Sequence, residues 1–143
     1  MNDVDKKAKV AQQFIEAIPH SRALEMQVDK ISTGNAVLSL PYNERFVGDP
    51  ESGVLHGGVV TALLDTAMGA AVVCHPQSMG GTATIDLRID YMRPATKGQR
   101  LRAEANCYRV TRSVAFVRAT AYDEGDEPVA AAAGAFTVEG AKP

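Results

Sequence analysis

Between Glu51 and Asp86 the chain carries one formally charged side chain, Asp65, set within an apolar and small-residue run over 59–73. Burying an unpaired carboxylate is costly, so a lone Asp in a core-forming segment has hydrogen-bond partners, a raised pKa or a chemical task. We expect the task. Eight positions upstream (65 minus 57) lies Gly57, between His56 and Gly58, at the start of the same run. If the run is helical, its N-terminus offers free backbone N–H groups and a partial positive charge, and glycine there lets another group approach the backbone. Such a terminus can hold an oxyanion; the same glycines can also serve a tight turn. At about 1.5 Å per helical residue, Gly57 and Asp65 lie roughly 12 Å apart, too far for both to act on one carbonyl. If both serve one reaction they come from two chains, and a two-fold dimer with antiparallel helices would bring each Asp65 near the Gly57 amide of the other subunit.

The elements that must position these residues follow from the pattern. The segment 57–75 is too long for a strand and rich in Ala and Leu, so it reads as a central helix; with almost no polar face, it is expected to be surrounded by protein. An N-terminal helix is expected within 1–20, with Val10, Phe14 and Ile18 four residues apart and Pro19 ending it. Alternation over 24–31 and again over 36–40, about the Ser32-Thr33-Gly34-Asn35 turn, reads as a β-hairpin. Residues 41–53, punctuated by Gly48, Pro50 and Gly53, read as a loop. Four more strands are expected over 82–92, 100–110, 114–122 and 129–138, parted by turn-rich breaks. The sum is an α+β domain spanning 1–143, an antiparallel sheet of about six strands wrapped around one long central helix.

A chain of 143 residues can bury the core of one domain, and its net charge of −2 provides no field that would call for nucleic acid or an anionic membrane. The first residues lack the basic and then apolar order of a signal peptide, so a cytoplasmic protein is expected. The run over 57–74 approaches bilayer-spanning length, but it is built from Ala, Val and Gly around an Asp, which argues against a span. Cys74 and Cys107 stand far apart without a CxxC or a His/Cys cluster, so they read as buried thiols, and no metal is expected.

Leu55-His56-Gly57-Gly58, then Leu64-Asp65-Thr66-Ala67, then Asp86-Leu87-Arg88-Ile89-Asp90-Tyr91-Met92-Arg93-Pro94-Ala95 resemble the hotdog-fold acyl-CoA thioesterases of the PaaI-like, phenylacetate-degradation group. The resemblance covers about 40–138. It implies a hotdog fold and hydrolysis of an acyl-CoA to a free acid and coenzyme A, the coenzyme entering only as part of the substrate. It implies Asp65 as nucleophile or general base and the Gly57 amide as oxyanion donor. Alignment with the family brings Thr84 to the place of a residue that positions the attacking water, although the alternation of Ala83, Ile85, Leu87 and Ile89 sets Thr84 on the opposite face of its strand. Relatives often carry Asn or Gln some six residues before the His. This chain has Pro50 there, and the nearest polar candidate, Asp49, either serves the thioester or caps a turn.

His56 is a general-base candidate by residue type, but in the family pattern the His before the glycines mostly orders the loop and helix start. The phosphates of coenzyme A need cations or free amides. Arg93, Lys97, Arg109 and Arg112 lie at strand ends that could meet them, and the resemblance supports Tyr91 and the stretch from Arg109 to Ser113 as coenzyme contacts. It also implies a homodimer, commonly assembled as a homotetramer of two dimers. Two other readings stand beside the hydrolase: a hotdog hydratase or dehydratase, which would pair a catalytic His with a carboxylate, and a non-catalytic acyl-CoA binding module, which would have no need of Asp65. The acyl group is small and aromatic or medium-chain by family, with Val60, Leu64, Met68 and Met79 as candidate liners or core residues.

Overall fold

The Asn2 side chain accepts a hydrogen bond from the Asp5 amide and starts the first helix, α1 (Asp3–Ala17). In this computed structural model, which describes residues 2–139, there follow α2 (Pro19–Ala23), β1 (Gln27–Ser32), β2 (Asn35–Leu40), a 3₁₀ turn (Glu44–Phe46), β3 (Val47–Asp49), β4 (Val54–Leu55), α3 (Gly57–Val73), β5 (Thr84–Tyr91), β6 (Leu101–Val110), β7 (Val114–Tyr122) and β8 (Ala130–Thr137). The outer limits expected for the domain, 1 and 143, lie outside the described residues. Six strands form one antiparallel sheet in the order β1-β2-β6-β7-β8-β5, and β3 pairs with β4 in a separate ribbon. The sheet curves about α3, the hotdog arrangement that the resemblance implied. No helix of the described residues is long and apolar enough to cross a membrane.

Several local expectations are corrected. The first helix ends ahead of Pro19 as expected, with Ile18 extended (φ −76°, ψ 117°), but Pro19 then opens a short second helix, α2, at its first position, where a missing N–H costs nothing. The stretch from Leu24 to Met26 is a turn with Glu25 at φ 57°, so the hairpin begins only at Gln27. The supposed loop over 41–53 holds the 3₁₀ turn and β3, anchored by the buried ring of Phe46; three-residue elements are too short for periodicity to show. On α1 it is Ala11 and Ile15 that face the core, while Val10 and Phe14 are more than half exposed.

The interior face of α3 is apolar without interruption. Leu63, Leu64, Ala67, Met68 and Ala71 are fully buried, and the helix rests chiefly on β2, β6 and β7. Each leucine so buried contributes about 1.5–3 kcal/mol, so α3 is held by its hydrophobic face and does not depend on its carboxylate. The expectation that protein surrounds this helix is not met within one chain. Thr61, Ala62, Asp65, Thr66, Gly69 and Val73, spaced three and four apart, form a half-buried stripe beside the free edge of β5. Ile85, Tyr91 and Met92 on that edge are each more than half exposed.

One polar cluster locks the connection after β5. The Asp123 carboxylate, buried, accepts from Arg93 Nη1 (2.7 Å) and Nη2 (3.1 Å), from the Thr96 amide and hydroxyl, and from the Gly125 amide. The Arg93 guanidinium, followed by those amide and hydroxyl donors, holds this carboxyl well below the usual carboxylate range. A depressed folded-state pKa gives stability that is present above the ordinary carboxylate value of about 3.9 and is lost as pH falls toward the folded value. Asp123→Asn is expected to lower unfolding free energy by about 3 kcal/mol at pH 7 in urea titrations, with the gap to wild type narrowing steadily below about pH 4. A gap that does not change with pH would mean the ion pair is not its source.

Candidate active site

α3 begins where His56 turns the chain out of β4. His56 caps the helix twice: its Nδ1 accepts from the Gly58 amide (2.8 Å), and its carbonyl accepts from the Val59 amide (2.9 Å). With Nδ1 accepting, the neutral ring carries its proton on Nε2. The two glycines then part company. A Cβ on Gly58 would stand 2.9 Å from His56 Nδ1, so the cap itself requires glycine there. A Cβ on Gly57 would meet nothing closer than Tyr91 Cε1 at 3.8 Å, and neither residue has the positive φ of a tight turn. No contact among the described residues requires Gly57 to lack a side chain. Its N–H makes no hydrogen bond among the described residues, and Gly57 borders a cleft of about 370 Å³ lined also by Leu55, Val60, Tyr91, Pro94 and Val129.

Two helical turns further along, Asp65 is half-buried on the uncovered stripe. Thr84 Oγ1 donates to Asp65 Oδ1 at 2.7 Å, and Oδ2 has no partner among the described residues. This placement of Thr84 departs from simple alternation. The β5–β8 register slips between Thr84 and Asp86, a bulge that puts two residues where one would pair, so Thr84 lies on the same face as Leu87, Ile89 and Tyr91. A cleft of about 150 Å³ opens at the pair, bordered by Phe14, Ile18, Gly69, Thr82 and Phe136.

Tyr91, at the other end of β5, lies over the start of α3. Its hydroxyl contacts Thr61 Oγ1 closely and lies 3.3 Å from the Gly57 carbonyl, to which Thr61 Oγ1 also donates at 3.0 Å. Thr61 is a site neighbour that the sequence reading did not single out. Its signal was there in its position midway between Gly57 and Asp65 on one helix face.

The remaining candidates are distributed. Asp49, exposed at the end of β3, accepts from Ser52 Oγ (2.6 Å) and the Glu51 amide (3.1 Å) and so caps the 49–52 turn. The Ser52 hydroxyl first, and then the Glu51 amide, hold its carboxyl below its ordinary value, which leaves it ionised and unable to donate. Arg93 is directed onto Asp123 and the Glu127 carbonyl. Lys97 lies along Gly53 beside Tyr42. Arg109, Arg112 and Ser113 are exposed around the β6–β7 turn, which the Ser113 carbonyl ties to Val138, at the same end of the sheet as Thr84. Of the proposed liners, Leu64 and Met68 are core, Val60 borders the Gly57 cleft, and Met79 is more than half exposed. Cys74 and Cys107 are buried free thiols, each pushed up to about 11, chiefly by desolvation.

Within one chain, then, the free amide and the free carboxylate oxygen stand two helical turns apart, each at its own cleft. A sequence model of the thioesterase superfamily matches residues 52–130, which include both. The chain is 30% identical over 142 residues to the medium/long-chain acyl-CoA thioesterase YigI of Escherichia coli K12, covering 90% of this chain and 91% of that one. A crystal structure of a Pseudomonas aeruginosa protein superposes with a TM-score of 0.82 at 39% identity, covering 92% of this chain and 98% of that one. The Escherichia coli PaaI protein from the phenylacetic acid degradation operon superposes with a TM-score of 0.85 over 99% of each chain; at 21% identity this likeness speaks for the fold alone.

Proposed function

The chain belongs to the thioesterase superfamily and is a thioester hydrolase with the hotdog fold, and from that premise we propose that it hydrolyses acyl-CoA at a site shared between two copies. Asp65 of one copy and the Gly57 amide of the other act on one thioester carbonyl. The observation that carries this reading is the carboxylate itself: half-exposed, the one charged group of a largely apolar helix, held at Oδ1 by Thr84, with Oδ2 unpartnered among the described residues beside a cleft.

The chemistry follows from those contacts. The Gly57 N–H, at the positive end of α3, donates to the carbonyl oxygen and stabilises the negative charge that develops there. Asp65 Oδ2 takes a proton from a water that attacks the carbonyl carbon, while Thr84 fixes the carboxylate plane. The tetrahedral intermediate collapses, the C–S bond breaks, and coenzyme A leaves as a thiol with the proton that Asp65 held. In the other route consistent with the geometry, Asp65 attacks directly, coenzyme A leaves, and water hydrolyses the resulting acyl anhydride. His56 serves as the helix cap that leaves Gly57 free, and Asp49 serves its turn.

Two-fold pairing along the α3 stripe and the β5 edge would bring Tyr91 from one copy and the turn holding Arg109, Arg112 and Ser113 from the other to opposite sides of one site, where they contact coenzyme A. It would also cover the exposed Ile85. A cytoplasmic homotetramer built from two such dimers is our reading of the assembly. The test is free-thiol release from a panel of aryl and straight-chain acyl-CoA thioesters, run beside crotonyl-CoA hydration. Thiol release is expected. Hydration without thiol release would replace this reading with a hydratase, and binding without either reaction with a carrier module.

A further inference from the structure

Three oxygen atoms meet at the start of α3 and share only two protons. Thr61 Oγ1 donates to the Gly57 carbonyl at 3.0 Å, and the Tyr91 hydroxyl contacts Thr61 Oγ1 and lies 3.3 Å from the same carbonyl. The carbonyl can only accept, and each hydroxyl carries one proton. With the Thr61 proton on the carbonyl, the Tyr91 proton falls on Thr61 Oγ1; in the reverse order Tyr91 donates to the carbonyl and Thr61 to Tyr91. Either order consumes both protons inside the cluster, so the Tyr91 oxygen turns only lone pairs outward. Tyr91 stands on the free edge strand β5 and is more than half exposed, and Thr61 fixes the far end of its side chain. A Cβ on Gly57 would lie 3.8 Å from Tyr91 Cε1, so the ring forms a wall of the 370 Å³ cleft beside that glycine.

We propose that Thr61 is a positioning residue for substrate binding: it engages the Tyr91 hydroxyl, keeps the proton inside the cluster, and so presents the Tyr91 oxygen as an acceptor for an amide N–H of the pantetheine arm. The inference rests on the thioesterase reading and deepens it. The first N–H of an acyl-CoA stands two methylene groups from the thioester sulfur. With the thioester carbonyl on the Gly57 amide, an acceptor 3.3 Å from the Gly57 carbonyl lies within the span of that link. A hydroxyl free to donate would serve a substrate carbonyl equally well; the inward protons select an N–H instead. Pairing along the α3 stripe, which would bring Asp65 of the partner subunit to the Gly57 amide, keeps this cleft within the shared site. The amide carries the same charge in the ground state and the transition state, so the contact binds both alike and acts on KM, not kcat.

The experiment measures kcat and KM by thiol release for the full chain and for Thr61→Val, Thr61→Ser, Tyr91→Phe and the Thr61→Val/Tyr91→Phe double variant, each checked by thermal melting. The substrates are the fastest acyl-CoA of the panel above and the S-ethyl thioester of the same acid, which has no N–H. With the acyl-CoA, Thr61→Val and Tyr91→Phe should each raise KM about three- to tenfold, the loss expected for one neutral hydrogen bond, with kcat held within twofold. Thr61→Ser keeps the hydroxyl and should restore the wild-type KM, and the double variant should be no worse than Tyr91→Phe alone. With the S-ethyl thioester, read as substrate or as competitive inhibitor, all five proteins should agree. Should Thr61→Val not fold, Tyr91→Phe, at an exposed ring, still decides through the same pair of substrates. A wild-type KM in the folded variants, an equal loss with the S-ethyl thioester, or a fall in kcat in place of a rise in KM overturns the inference and leaves the thioesterase reading standing. Absence of release from every acyl-CoA in the wild type overturns both.

Discussion

Asp65→Asn is expected to lower kcat by about 10²- to 10⁴-fold, the range supplied by a positioned general base, and to leave the fold and its thermal midpoint nearly unchanged. The expectation of an intact fold has a structural basis. Asn is nearly isosteric, its carbonyl oxygen can still accept from Thr84 Oγ1, and α3 is held by Leu63, Leu64 and Met68 on the opposite face. Asp65→Ala is the poorer variant because it leaves the Thr84 hydroxyl without an acceptor and alters packing at the cleft. Thiol release and circular dichroism on the same preparation separate the two effects. Full turnover in a folded Asn variant would remove Asp65 from the mechanism.

Gly57→Pro is expected to cost about 10²- to 10³-fold in kcat, the effect of removing one oxyanion donor. This substitution removes the N–H with little other disturbance. Gly57 is the first residue of α3, where proline is favoured because its missing donor has no helical partner. His56 before it is at φ −59° and ψ 137°, the extended region that a following proline demands. The space for a Cβ is open. The variant should therefore melt at or above the wild-type temperature while losing activity. A Pro variant of unaltered kcat would show that the helix terminus does not hold the reacting oxygen.

Much of the candidate site stood out in the sequence because it is made of residue types that do not otherwise belong where they stand. An Asp in an apolar run and glycines at a helix start are conspicuous against the patterns of core helices. The helix spacing between them also points to a two-chain arrangement. The fold was legible for the same reason: long elements such as α3, β6 and β7 carry periodicity that survives small errors at their ends.

What escaped was set by single-residue events. The bulge after Thr84 reverses the face that alternation predicts, and no local residue type announces it. Val10 and Phe14 look like the buried stripe of α1, yet they are more than half exposed, because an apolar stripe reports a need for contact and not what meets it. Gly57 and Gly58 are the same letter with different reasons, and only the position of the His56 ring tells them apart. Arg93 looked like a free cation at a strand end, but its partner, Asp123, lies in a distant turn.

The measurement that tests the shared site most directly is complementation between two impaired chains. Asp65→Asn and Gly57→Pro chains, carrying different affinity tags, are co-expressed, and the mixed dimer is purified through both tags. In that dimer one shared site holds both lesions and the other holds neither, so thiol release should return to about half the wild-type value per dimer. If Asp65 and Gly57 instead act within one chain, every site in the mixed dimer carries one lesion, and the activity would remain at the level of the two parents.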